Sequence, residues 1–241
     1  MTGTFGVIDT TNDVRTNLTG TSGGTSISVA TPANTVIGDT LVILTGNGNN
    51  AVNITGPTGG SAAAWTTIVQ AARGTSGNLQ IGVFVKPNIL AADVGATFTV
   101  GTTGTIGMPI AIIRIPGADP TMRTSSVTAS AANSTTSMVP VALTGVLATD
   151  LTLACYALSQ NSQSSALTMT YPTAPTWTQV AKLNTVGTGT TNYNTGLVVL
   201  GKLGGGLSGD QPQPTTNDTG SWAAVALAFK PNTGGFMSFF R

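Results

Sequence analysis

The chain has 241 residues, 40% of them hydrophobic, 5% aromatic and 7% charged, with a formal net charge of +1. A soluble domain usually carries roughly 25% charged residues, while a disordered chain would be poorer in apolar residues and richer in charge, so this composition describes a folded, nearly neutral protein. The nine basic residues are scattered, which excludes the clustered Lys and Arg of a nucleic-acid interface, and neither His nor Glu occurs, which excludes Ser-His-Asp, Cys-His and His-metal chemistry.

Residues 1–22 read as an extended N-terminal arm of Gly, Thr, Asn and Asp. Its apolar patch, Phe5-Gly6-Val7-Ile8, is expected to pair as an edge strand with its own body or with a neighbour. The start has neither the basic residues nor the apolar core of a secretory signal. Asp9-Thr10-Thr11-Asn12-Asp13 is the densest acidic stretch, but it lacks the Gly and distal Glu of an EF-hand loop and reads as a polar loop. No metal, cofactor or catalytic residue is expected, and the chain is not read as an enzyme.

Residues 23–120 carry seven short segments rich in Val, Ile, Thr and Phe, separated by Gly- and Asn-rich turns. The expected strands are 25–29, 40–44, 52–54, 65–71, 79–85, 97–100 and 109–115, and 88–94 reads as a single helical turn. Pro116-Gly117-Ala118-Asp119-Pro120 marks a boundary. Residues 121–232 carry strands expected at 125–130, 137–143, 151–158, 167–171, 177–183, 196–203 and 222–229. No strand there is read opposite 97–100. Cys155, the single cysteine, lies in an apolar strand and reads as a small core residue. No run approaches the roughly 20 apolar residues of a membrane-spanning helix.

Residues 233–241 differ from the rest. Two glycines precede Phe236-Met237-Ser238-Phe239-Phe240, an apolar cluster that is costly to leave in water. It reads as a docking tail, seated on its own domain or on another chain. Phe236, Met237, Phe239 and Phe240, with Phe5 and Ile8 of the arm, are the candidate partner-docking residues.

The two central regions match in order. Gly38-Asp39-Thr40-Leu41 answers Thr149-Asp150-Leu151-Thr152, and Trp65-Thr66 answers Trp177-Thr178. Val85-Lys86 answers Gly201-Lys202, and Arg114-Ile115-Pro116 answers Lys230-Pro231. The expected fold is therefore all-β: two tandem, internally duplicated antiparallel β-sandwiches, jelly-roll-like or Ig-like, with an arm and a tail. Trp65 and Trp177 read as core packing, with an exposed sugar-stacking platform as the alternative. Lys86, Lys202, Arg114 and Lys230 read as solvated strand ends, with matched contacts to neighbouring subunits as the alternative.

The order Gly38-Asp39-Thr40-Leu41-Val42, Trp65-Thr66, Val83-Phe84-Val85-Lys86 and an Ile-rich strand with Arg114, ending in Trp222–Pro231, resembles structural proteins of tailed bacteriophages. It is similar above all to minor tail and fibre-type proteins of phages infecting actinobacteria, over residues 25–232. The resemblance implies a virion component assembled in the host cytoplasm, with other tail or capsid subunits as partners. A near-neutral surface fits a homo-oligomer or a larger assembly. A capsid decoration protein and a carbohydrate-binding module or adhesin recognising a host surface glycan are the alternative readings.

Overall fold

The computed structural model of the chain describes residues 5, 8–18, 24–48, 52–73, 79–129, 138, 142–160, 169–170, 177–184, 194–216 and 220–232. The first half forms β1 (Val14–Leu18), β2 (Gly24–Ala30), β3 (Thr40–Asn47), β4 (Thr66–Arg73), β5 (Leu79–Lys86), a 3-10 turn (Ala91–Asp93), β6 (Thr97–Ile106) and β7 (Pro109–Ile115). The second forms β8 (Thr124–Ala129), β9 (Leu151–Gln160), β10 (Met169–Thr170), β11 (Thr178–Asn184), β12 (Asn194–Leu203), β13 (Thr215–Thr216) and β14 (Gly220–Phe229). The chain is all-β, in antiparallel sheets arranged as a sandwich.

Two five-stranded sheets dominate, in the orders β1-β7-β3-β5-β4 and β8-β14-β9-β12-β11. They are the same sheet built twice. Leu44 pairs with Val83 and Ala111, and Cys155, its equivalent, pairs with Val199 and Val225. The register irregularity between Thr67 and Val69 on β4 recurs between Gln179 and Ala181 on β11. A bulge at one matched position in both halves is a structural copy that composition does not show.

The arm contributes to this copy. Val14–Leu18, inside the segment read as an arm, is an edge strand that pairs with β7 as β8 pairs with β14. Arg114 also needs a new counterpart. In ladder register Arg114 faces Leu41, and the corresponding pair is Ala228 and Thr152, so Lys230 lies two residues beyond the equivalent position. Matching by the nearby prolines slips the alignment, because the turn after the strand differs in length.

Each large sheet carries a small layer outside it. Against the first lies the β2–β6 pair, enclosing Ile27, Val29, Phe84, Phe98, Val100 and Ile112. The second half has a two-stranded pair, β10–β13. Thr215–Thr216 occupies the chain position for which no strand was read. It follows Gln211-Pro212-Gln213-Pro214, where missing backbone N–H groups prevent a longer ladder.

The two large sheets also pack on each other. Val42, Leu44, Ile81, Val83 and Ile113 share one buried cluster with Leu153, Cys155, Val199, Val225 and Leu227. The intervening residues of the same strands point outward, Leu41, Ile43 and Ile112 into one outer cluster and Ala154, Tyr156 and Leu158 into another. With side chains alternating between faces and both faces covered, β3, β5 and β14 are buried at every position. The two halves thus own separate outer layers and share one central core.

β1 lies across from β11, and β4 across from β8. The second sheet is therefore related to the first by a half-turn about an axis along the strands. β3 and its equivalent β9 meet on that axis: a Cβ added to Gly46 would lie 3.4 Å from the Cβ of Ala157. This symmetry sets equivalent strand ends at the same end of the sandwich.

Because the central core belongs to both halves, thermal unfolding is expected as one cooperative transition in calorimetry, and Leu153→Ala is expected to cost about 2–5 kcal/mol. Two separate transitions would show independent cores. The Cys155 thiol is fully buried, and burial pushes its pKa up to about 12. It is expected to resist aqueous thiol reagents until the protein unfolds globally.

Candidate functional site

The end of the sandwich where β3 and β9 begin and β5 and β12 finish gathers most of the described charged groups. Two matched turns lead into β3 and β9. The Asp39 carboxylate accepts a bond from the Val36 N–H at 2.8 Å, and Asp150 accepts one from the Leu147 N–H at 2.8 Å. Each carboxylate caps its own turn, then meets an arginine.

The arginine comes from a different strand in each half. Arg114, on β7, donates to Asp39 at 2.5 Å and to Asp13 at 2.8 Å. Burial alone would weaken its hold on its proton, but the bonds to Asp39 and Asp13 raise the guanidinium pKa. In the second half the equivalent position is Ala228, and Arg123, just before β8, reaches Asp150. The acceptor has kept its place while the donor has moved to the neighbouring strand.

A second matched pair of turns follows β5 and β12. Asp93 N–H bonds to Leu90 C=O and Asp210 N–H to Leu207 C=O, both at 2.9 Å. Asn88 adopts a left-handed backbone with φ 51°, and Gly204, its counterpart, has φ 64°. Asn is among the few side-chain-bearing residues that tolerate this region. A side chain at Gly204 would in addition sit 2.9 Å from the Ala148 backbone.

Lys86 and Lys202 hold these turns. Lys86 was expected at a solvated strand end; it is buried at 1% exposure, because the turn wraps back over it. Its ammonium pairs with Asp93 at 2.8 Å and donates to Ser61 C=O at 3.2 Å. It lies 5.8 Å from the centroid of Trp65 and 5.4 Å from that of Phe98, within cation–π range. Burial would raise the Asp93 carboxyl, but the Lys86 ammonium and donors from Leu90 and Ser61 hold it down to about 2. In the other half Lys202 pairs with Asp210 at 2.7 Å, both partly exposed.

The tryptophans belong to these constellations. Trp177 is buried and donates its indole N–H to Asp210 C=O at 3.1 Å. Trp65, half-buried, meets Phe98 edge-to-face at 5.1 Å and lines a cleft of about 350 Å³ with Gly56, Pro57 and Ser61. Both pack beside the lysine–aspartate pair of their own half.

Of the candidate docking residues, Phe5 and Ile8 are buried in the central core, at 7% and 8% exposure, together with Val14. The expectation that they face a partner is corrected: the strand beside them pairs with β7 and carries them inward. Phe236, Met237, Phe239 and Phe240 lie outside the described residues. Among the described residues, the large exposed apolar groups at this end are Val36, Ile37, Leu90 and Val94 in the first half and Leu147, Leu203 and Leu207 in the second. Val36 and Leu147, and Leu90 and Leu207, are equivalents. Val36, Ile37 and Val94 border a groove of about 550 Å³ that Thr35 and Ala91 also line. The readable signal for it is apolar residues inside turns, at Val36-Ile37 and Val94.

Lys86→Ala leaves Asp93 buried and unpaired, and is expected to cost about 3–5 kcal/mol in urea denaturation. Lys202→Ala is expected to cost about 1 kcal/mol or less. Asp93 titrates below its unfolded value near 4, so its contribution is complete above that pH and fades as pH falls toward 2. Asp93→Asn is expected to remove about 2 kcal/mol of that acid-dependent stability. Comparison of the chain with protein-family models, with curated proteins and with solved structures finds no match.

Proposed function

We propose that this chain is a non-enzymatic structural component of a phage virion, a minor tail, tail-tip or fibre-type protein that assembles with copies of itself and with other virion subunits. The observation that carries this reading is how the charged groups are used. Asp13, Asp39, Asp93, Asp119, Asp150 and Asp210 are each paired with a Lys or Arg of the same chain. Asp9 is held by Thr11 and Asn12 in a turn. These carboxylates are spent on joining strand ends. Meanwhile apolar groups stand exposed at equivalent places in both halves, the surface a subunit offers to neighbours. A duplicated, nearly neutral sandwich held by such internal pairs suits a building block of an assembly.

The test is immunogold labelling of purified particles of the phage encoding the chain, with copy number from quantitative mass spectrometry. Gold confined to the tail or its tip, at a few copies per particle, is expected. Labelling spread over the head would instead identify a decoration protein, and absence of the chain from particles would end the virion reading.

A further inference from the structure

We propose that the cleft beside Trp65 binds a neutral pyranose sugar, presented as the terminal unit of a glycan. The two matched tryptophans supply the first observation. Trp177 is 5% exposed, donates its indole N–H to Asp210 C=O, and has chain packed on its ring, since a Cβ added to Gly205 would lie 2.8 Å from it. Its whole surface is used in the fold. Trp65 is only half-buried, and it lines the cleft with Pro57, Ala62, Ala63, Ala64 and Thr67. The two copies of the unit thus treat the same residue differently, and a stacking role fits Trp65 alone.

The walls of the cleft are fixed by bonds to buried groups. The Ser61 N–H and hydroxyl each donate to the buried Asp93 carboxylate at 2.8 Å. Thr58 exchanges two main-chain bonds with Thr99, at 2.9 and 3.0 Å. Gly60 lies so close to Asp93 that an added Cβ would sit 2.5 Å from its Oδ1. Phe98 and Lys86, both fully buried, support the indole from inside. A site formed in advance spares its ligand the cost of ordering it.

The lining selects the ligand class. At about 350 Å³ the cleft is at the small end of the range for ligand sites, roughly 300–1,000 Å³, which suits a single sugar ring. No charged side chain lines it, because Lys86 and Asp93 are committed to each other, so a phosphate, sulfate or carboxylate finds no counter-ion. Ala62, Ala63 and Ala64 are exposed, and among the described residues nothing bonds to their main-chain N–H and C=O groups. Those groups and the Thr67 hydroxyl can exchange hydrogen bonds with sugar hydroxyls, while Trp65 and Pro57 receive the C–H face of the ring. A Pro-rich peptide needs a groove lined by aromatic rings, and Trp65 is the one aromatic among the lining residues. The proposal stands whether or not the chain belongs to a virion.

The test applies the full chain to an array of neutral, sialylated and sulfated glycans, followed by titration with the neutral glycan bound best. Binding to neutral glycans that end in a pyranose is expected, and both Trp65→Ala and Ala63→Arg are expected to weaken it by roughly tenfold or more. Trp65→Ala also removes the contact with Phe98. Ala63→Arg changes an exposed position, is expected to leave the melting temperature unchanged, and so reads the cleft alone. Failure to bind any neutral glycan, binding confined to acidic glycans, or unchanged affinity in Ala63→Arg overturns the proposal.

Discussion

The packing of one five-stranded sheet against its own copy is the constraint on which the rest of this structure depends. Val42, Leu44, Val83 and Ile113 meet Leu153, Cys155, Val199 and Val225 in a core to which each half contributes one face. Each sheet then carries a second apolar face outward, where β2–β6 packs on the first and Met138 and Trp177 pack on the second. With both faces buried, the central strands have no room for charge. The ion pairs are accordingly found at strand ends and turns, where a carboxylate can both cap backbone N–H groups and meet a cation.

Duplication has preserved the positions that geometry demands and released the others. Asp39 and Asp150 cap equivalent turns, and Asn88 and Gly204 share a left-handed backbone. The cation serving each aspartate was free to change strand, because β7 with its neighbour β1 in one half, and β14 with β8 in the other, bring either strand within reach. Lys86 and Lys202 diverge in another way. One is sealed beneath Trp65 and Phe98, while the other remains a partly exposed pair, so similar chemistry carries very different energetic weight.

The half-turn along the strands also decides where interaction surface lies. It brings both sets of cap turns to one end, and with them the exposed Val36, Ile37, Leu90, Leu147 and Leu207. The chain finishes β14 at that same end. The proposed virion role draws on this convergence of apolar groups.

The all-β class, most strand positions, the duplication and the core role of Cys155 were legible in the residues. Alternating and continuous apolar runs report burial directly, and repeated Asp, Trp and Lys anchors report a copied unit. Three features needed the tertiary structure. The arm's edge strand lies at Val14–Leu18 and not at the expected Phe5–Ile8 patch, since Val14–Leu18 has too few apolar residues to declare a strand before β7 is beside it. Lys86 proved to be buried, because the aspartate that neutralises it arrives only when the following turn closes. The sharing of a central core was hidden because sequence periodicity shows that both faces of a strand are covered, but not by what. Local pattern determined the strands and their repetition; the long-range packing of one half on the other decided which groups were left facing solvent.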